Sequence, residues 1–252
     1  MPPLLEGAGI TVRFGGLTAL KGVGFAVASN EVLSVIGPNG AGKTTLFNVI
    51  TGRVRPAEGR VLLRGAPIGR LAPHAIAKRG IVRTFQKTEI FAPLTLLEGV
   101  QAGPLARREG AMWRDLWRPR RDGDPFAARG REALDAVGLL PKADAPAGQL
   151  SYGEQRLLEV AQALAADPEV LLLDEPASGM NPQESAHVMR MIAALRGRGM
   201  AIILVEHNMQ VVMNISDRVM VLDHGEKIAE GRADEVRRDP RVIAAYLGEP
   251  AR

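Results

Sequence analysis

The stretch VLSVI at 32–36, followed at once by GPNGAGKTT at 37–45, decides how this 252-residue chain folds. Residues 37–44 match the pattern G-x-x-x-x-G-K-[ST] at every fixed position. Gly37, Gly40 and Gly42 let the backbone turn tightly and present N–H groups to phosphate oxygens. The helix that follows adds the positive end of its dipole. Lys43 has the reach for the β- and γ-phosphates, and the Thr44 hydroxyl suits Mg²⁺. Apolar residues crowd the run before the loop. Leu46, Phe47, Val49 and Ile50 after it fall on one helical face. The expected order is therefore strand, phosphate loop, helix.

Working outward, a second acidic site stands at LLLDEP, 171–176. A short, wholly apolar strand at 170–173 is what the inside of a parallel sheet requires. It delivers Asp174 to its carboxyl end, suited to hold Mg²⁺ directly or through water. Glu175, next along, is placed to polarise the water that attacks a γ-phosphate. AIILV at 201–205 reads as another buried strand, and His207 follows it, at the end of the sheet where ligands bind. His74, His187 and His224 have no comparable setting.

The remaining pattern is α/β. Strands are expected at 4–12, at 23–36 as one run, at 59–64 and at 81–85. A short helix at 71–79 is closed by Gly80. Ser151 and Glu154 have capping-box spacing for a helix over 152–166. Asn181-Pro182 opens another helix. RVMVLDHGEKIAEG at 218–231 reads as a hairpin turning at 223–226, with a short amphipathic tail behind it. Between 93 and 148 helices alternate with Pro, Gly and charge. The Arg-rich part at 107–124 carries Trp113 and Trp117 four residues apart, which packs an inserted helical region.

Composition narrows the class. Apolar residues are 46% and charged residues 24%, as in an ordinary folded domain. There is no cysteine, so disulfides and thiolate chemistry are excluded. No apolar run approaches the length of a membrane span. The opening MPPLLEGAGITVRF does not read as a secretory signal. Thirty-two basic residues against 28 acidic ones leave a charge of +4. A phosphate ligand accounts for that balance without invoking nucleic acid.

With the loop and the acidic strand in place, the chain resembles the ATP-binding cassette (ABC) transporter ATPases over about residues 4–248. LSYGEQR at 150–156 is similar to the family's signature motif. Tyr152 stands for its first glycine and Glu154 for its glutamine, adding bulk and a negative charge. Gln86 in RTFQ matches the family's glutamine loop, ASGMN at 177–181 its dimer-contact loop, and His207 its switch histidine. Phe14 resembles the aromatic that stacks on adenine.

The resemblance implies a P-loop α/β fold with a mixed sheet core, an N-terminal antiparallel β subdomain and a helical subdomain inserted near 90–165, all within one domain of residues 1–252. It implies ATP and Mg²⁺ as ligands. ATP is then held by Phe14, by Gly37, Pro38, Asn39, Gly40, Ala41, Gly42, Lys43, Thr44 and Thr45, and by Ser151, Gly153 and Glu154 of a second cassette. Mg²⁺ falls to Thr44, Gln86 and Asp174. Catalysis falls to Lys43, Gln86, Glu175 and His207.

FGGLTAL at 14–20, RTFQ, the insert, LSYGEQR, ASGMNP and IAAYLGE at 243–249 resemble one branch, the larger ATPase of bacterial branched-chain amino acid importers. The implied partners are a second ABC ATPase, in a homodimer or heterodimer, two membrane permeases and a periplasmic solute-binding protein. The implied location is the cytoplasmic face of the inner membrane. Importers of urea or short amides share these features. Soluble ABC-type ATPases of DNA repair or translation form a different class, marked by long coiled-coil inserts or tandem cassettes that this chain does not have.

Overall fold

A computed structural model describes residues 2–84, 92–105 and 125–247. The expectations for Phe85, Gln86, the 107–124 stretch with Trp113 and Trp117, and the end of IAAYLGE lie outside the described residues.

The first sheet is antiparallel, in the order β2-β1-β4-β5. It comprises β1 (Leu5–Phe14), β2 (Leu17–Val27), β4 (Glu58–Leu63) and β5 (Ala66–Pro67). A tight turn at Gly15-Gly16 joins β1 to β2, with Phe14 paired to Leu17. The second sheet has six strands in the order β10-β9-β3-β8-β7-β6. These are β3 (Val32–Ile36), β6 (Ile81–Arg83), β7 (Val170–Asp174), β8 (Ala201–Val205), β9 (Arg218–Asp223) and β10 (Glu226–Gly231). The five strands from β9 to β6 run parallel, and β10 returns antiparallel on β9.

The single strand expected at 23–36 is two strands in two different sheets. The chain turns at Asn30, whose φ is +61°. The Ala28 N–H donates to the Glu31 carboxylate at 2.7 Å across that turn. The break is short, because only Ala28, Ser29, Asn30 and Glu31 lie between the apolar ends of β2 and β3.

Period-two alternation divides the core. Leu171, Leu173, Ile202 and Leu204 face one layer, and Leu172, Ile203, Val205 and Val35 face the other. The first layer is built by α3 (Leu96–Leu105), α4 (Pro125–Ala136), α5 (Tyr152–Leu164) and α6 (Pro182–Gly197). The second holds α1 (Lys43–Ile50), whose Leu46, Phe47, Val49 and Ile50 lie between the two sheets, against Leu20, Val23 and Phe25 of β2. Helix α1 is thus gripped on both faces, which fixes the phosphate loop at its start. The short α2 (Pro73–Lys78) precedes β6. A helix not anticipated from the sequence, α7 (Met209–Ile215), follows His207, capped by the Asn208 side chain. The tail forms α8 (Ala233–Val236) and α9 (Pro240–Leu247), with Val236 and Val242 packed near Val219 and Val221 of β9.

Candidate nucleotide site

The carboxyl ends of β3, β8 and β7 lie side by side. Val35 pairs with Val205 and Val205 with Asp174. Three loops therefore open on the same edge of the sheet: 37–42, 174–181 and 206–208. In the first, Gly37, Gly40 and Gly42 have φ of 146°, 82° and 105°. Two of them are also sterically required. A Cβ on Gly37 would stand 2.0 Å from the Leu222 carbonyl oxygen, and one on Gly42 would stand 2.8 Å from the Ala19 oxygen. Gly42 gives α1 no side-chain cap. The first amides of that helix therefore have no partner from its own turns, which suits them to an anion.

Lys43 is only 7% exposed. Its ammonium donates to the Gly37 and Pro38 carbonyls at 2.6 and 2.8 Å. Burial pulls its pKa below the ordinary lysine value, and the charges of Glu175 and Asp174 oppose that pull. A cation held by carbonyls alone at the floor of a loop is suited to exchange them for phosphate oxygens.

Asp174 is 4% exposed. Its Oδ2 accepts from Arg83 at 2.6 Å, and its N–H donates to the Thr84 hydroxyl at 3.3 Å. Arg83 also donates to Asn48 Oδ1 at 2.8 Å and lies over the Phe47 ring, 5.2 Å from its centroid. No role for Arg83 is legible in the sequence, since its partners are distant in the chain. Glu175 sits in the left-handed region at φ +51°, with its N–H on the Val205 carbonyl at 2.8 Å. That turn directs its carboxylate to His207, with Nε2 and Oε1 2.8 Å apart.

A cleft of about 640 Å³ lies over these groups. Phe14 stands at one side, half exposed, and Asn39, Ala41, Thr44 and Thr45 line it together with Lys43, Glu175 and His207. His224 also reaches the cleft, through the β9–β10 turn. It carries no signal in the sequence because only the sheet order brings that turn beside the loop. His187, by contrast, is structural: its Nε2 meets the Val137 carbonyl at 3.0 Å.

The signature residues are not among those that line this cleft. Ser151 caps α5, accepting from the Glu154 N–H at 3.3 Å, while Glu154 accepts from the Ser151 N–H at 3.1 Å. Glu154 is also paired with Lys142, so its charge is already compensated. That bond, with burial opposing and the Ser151 N–H assisting, holds its pKa below the usual carboxylate value. The Tyr152 hydroxyl accepts two bonds from Arg156, at 3.0 and 3.1 Å. A Cβ on Gly179 would stand 3.1 Å from the Tyr152 ring, closer than ordinary contact. The signature end of α5 and the 177–181 loop thus lie against each other.

Fold and site together define a phosphate-loop protein of the α/β class. A family model for the ABC transporter matches residues 20–178, and one for the branched-chain amino acid ATP-binding cassette transporter matches 226–252. The chain belongs to the ABC transporter ATPase family. It is 41% identical to the high-affinity branched-chain amino acid transport ATP-binding protein BraF of Pseudomonas aeruginosa, over 98% of each chain. Among solved structures, it superposes with a TM-score of 0.90 on the ADP conformation of MJ1267, an ATP-binding cassette of an ABC transporter. The identity is 32%, and 99% of this chain and 100% of that one are covered. It also matches the dimeric post-hydrolysis state of the cassette MJ0796 bound to ADP and Pi, at TM-score 0.75 and 26% identity, over 91% of this chain and 98% of that one.

Proposed function

We propose that this chain binds and hydrolyses ATP to drive a branched-chain amino acid importer; the name of its relative BraF states ATP binding and high-affinity branched-chain amino acid transport. The observation that carries the hydrolytic part is the Glu175–His207 contact of 2.8 Å, on the same cleft as Lys43 and the phosphate loop.

The residues present fit a nucleotide triphosphate. The glycine turn runs through three positive-φ positions that favour glycine, and Lys43 has only carbonyls to release. Phe14 offers a half-exposed ring for the base. Thr44 and Asp174 supply oxygen donors of the kind Mg²⁺ prefers. When bound there, Mg²⁺ supplies charge that offsets the phosphate oxygens. Glu175 accepts a proton from the attacking water. His207 donates from Nε2 to Glu175 and keeps that carboxylate turned toward the cleft. Lys43 holds the γ-phosphate oxygens while the bond to the β-phosphate breaks. Gln86 is assigned to the water and Mg²⁺ on its motif alone.

The signature residues lie outside the cleft. We assign its closure to Ser151 and Gly153 of a second cassette, with Ser151 at an uncovered helix start. The MJ0796 dimer supports such a pairing. Glu154, turned back onto Ser151 and Lys142, serves as cap for that helix start and keeps it in shape. Helices α3, α4 and α5 form the surface proposed to dock on a permease, with the chain peripheral at the cytoplasmic face. Among the described residues no helix is long and apolar enough to cross a membrane.

The test is uptake by the chain assembled with its permeases and binding protein. Leucine, isoleucine and valine should enter in an ATP-dependent way, and Lys43→Ala should abolish entry. Uptake confined to urea or short amides would contradict the substrate assignment.

A further inference from the structure

Glu206 directly follows the buried strand β8 and stands one residue before His207. It is a charged residue with only 2% of its surface exposed. Its carboxylate is held by backbone donors from two different loops. Oε1 accepts from the Ala177 N–H at 2.9 Å. Oε2 accepts from the N–H groups of His207 and Asn208 at 3.0 and 3.2 Å. A carboxylate only accepts and has lone pairs on both oxygens, so it grips two loops at once. Bonds of this kind are about twice as strong as neutral ones. A buried carboxylate without them would be costly.

The two loops are those that carry the Glu175–His207 pair. Ala177 lies two residues beyond Glu175, which is held in a left-handed turn by its N–H on Val205. The turn continues through Ser178 N–H on the Glu175 carbonyl and Met180 N–H on the Ala177 carbonyl, at 3.2 and 3.3 Å. It then reaches Asn181, the cap of α6. On the other side Glu206 holds the backbone of His207 itself. One carboxylate therefore binds the backbone of His207 and that of Ala177, two residues beyond Glu175, behind the 2.8 Å contact.

We infer that Glu206 is a positioning residue for hydrolysis, holding Glu175 and His207 in register and tying that pair to the 177–181 loop. The inference rests on Glu175 acting as the base. Movement of the 177–181 loop, which in the proposed dimer faces a second cassette, is then felt directly at the reacting pair.

The test uses the full chain with ATP and Mg²⁺. Glu206→Gln keeps the size and one acceptor oxygen, but turns an NH₂ group against the N–H donors of one loop. Glu206→Asp keeps the charge and is too short to hold both loops. Both variants should bind ATP within about threefold of wild type, since the hydrogen bonds of Glu206 go to Ala177, His207 and Asn208. Turnover per bound ATP should fall at least about tenfold in each. Amide exchange should quicken at Ala177, His207 and Asn208. Turnover per bound ATP within twofold of wild type in either variant would overturn the inference, even if stability fell, because the role would then be structural only. Glu175→Gln, run alongside, separates the two ideas. If it loses turnover while the Glu206 variants keep theirs, only the positioning role falls. If it turns over normally, the base assignment falls and the positioning role with it.

Discussion

Lys43 shows how the chemistry is stored in a single residue. It is buried, held by the Gly37 and Pro38 carbonyls, and its pKa is lowered chiefly by burial. Hydrogen bonds to charged groups are worth about 1.5–3 kcal/mol. Lys43→Ala should therefore weaken ATP binding by about 10- to 100-fold in a calorimetric titration; unchanged affinity would remove Lys43 from the phosphate site. Arg83 makes a different prediction. Its pair with Asp174 is nearly dry, the two side chains being 10% and 3% exposed. Removing one partner of a buried pair costs about 3–5 kcal/mol. Arg83→Leu should lower unfolding stability in urea by that order, and a loss below about 1 kcal/mol would contradict the account. Lys43, Asp174, Glu175 and His207 are legible in the sequence because each stands beside a strand or glycine pattern that dictates its place. Arg83 and Glu206 are not, because their partners lie far along the chain. Arg83 meets Asn48 and Asp174 at separations of 35 and 91 residues, and Glu206 meets Ala177 at 29.

Among the elements, α5 is the one whose start matters most. Its capping box was readable as S-x-x-E, and the structure forms both of its bonds. Loss of a serine cap costs about 0.5–2 kcal/mol, so Ser151→Ala should lower the melting temperature measurably, apart from any effect on ATP. Glu154 adds a pH dependence. Its native pKa is depressed, chiefly by Lys142. Its contribution is thus present above the unfolded-chain value of about 4.3 and lost as pH falls through the native value. The melting difference between wild type and Glu154→Gln should shrink as pH is lowered from 7 toward 3; a constant difference would mean that the Lys142 pair adds nothing. Elements in parallel-sheet positions were easy to read from sequence. The β2–β3 break was not, because only Ala28, Ser29, Asn30 and Glu31 separate the apolar ends of two strands that belong to different sheets. Helix α7 was missed because it spans only Met209–Ile215.

Across the whole molecule, one sheet aligns three loops from residues that are far apart in the chain. The carboxyl ends of β3, β7 and β8 bring Lys43, Glu175 and His207 to one cleft, with Asp174 buried against Arg83 at the end of β7, while the signature end of α5 stands outside it. Sequence motifs name these parts, but the strand order β9-β3-β8-β7 is what makes them a site. The same order brings His224 to the cleft, which no motif announces. On the proposed reading, with the signature outside the cleft, ATP joins two cassettes. Glu175→Gln, supplied with ATP, should sediment as a dimer with itself or with its partner ATPase, and as a monomer without nucleotide. The account turns most directly on Glu175. ATP binding and ATP turnover are to be measured together on the wild type and on Glu175→Gln. Binding should stay within about threefold while turnover falls by about 10²–10⁴-fold, the loss of a general base. Turnover at the wild-type level would contradict it.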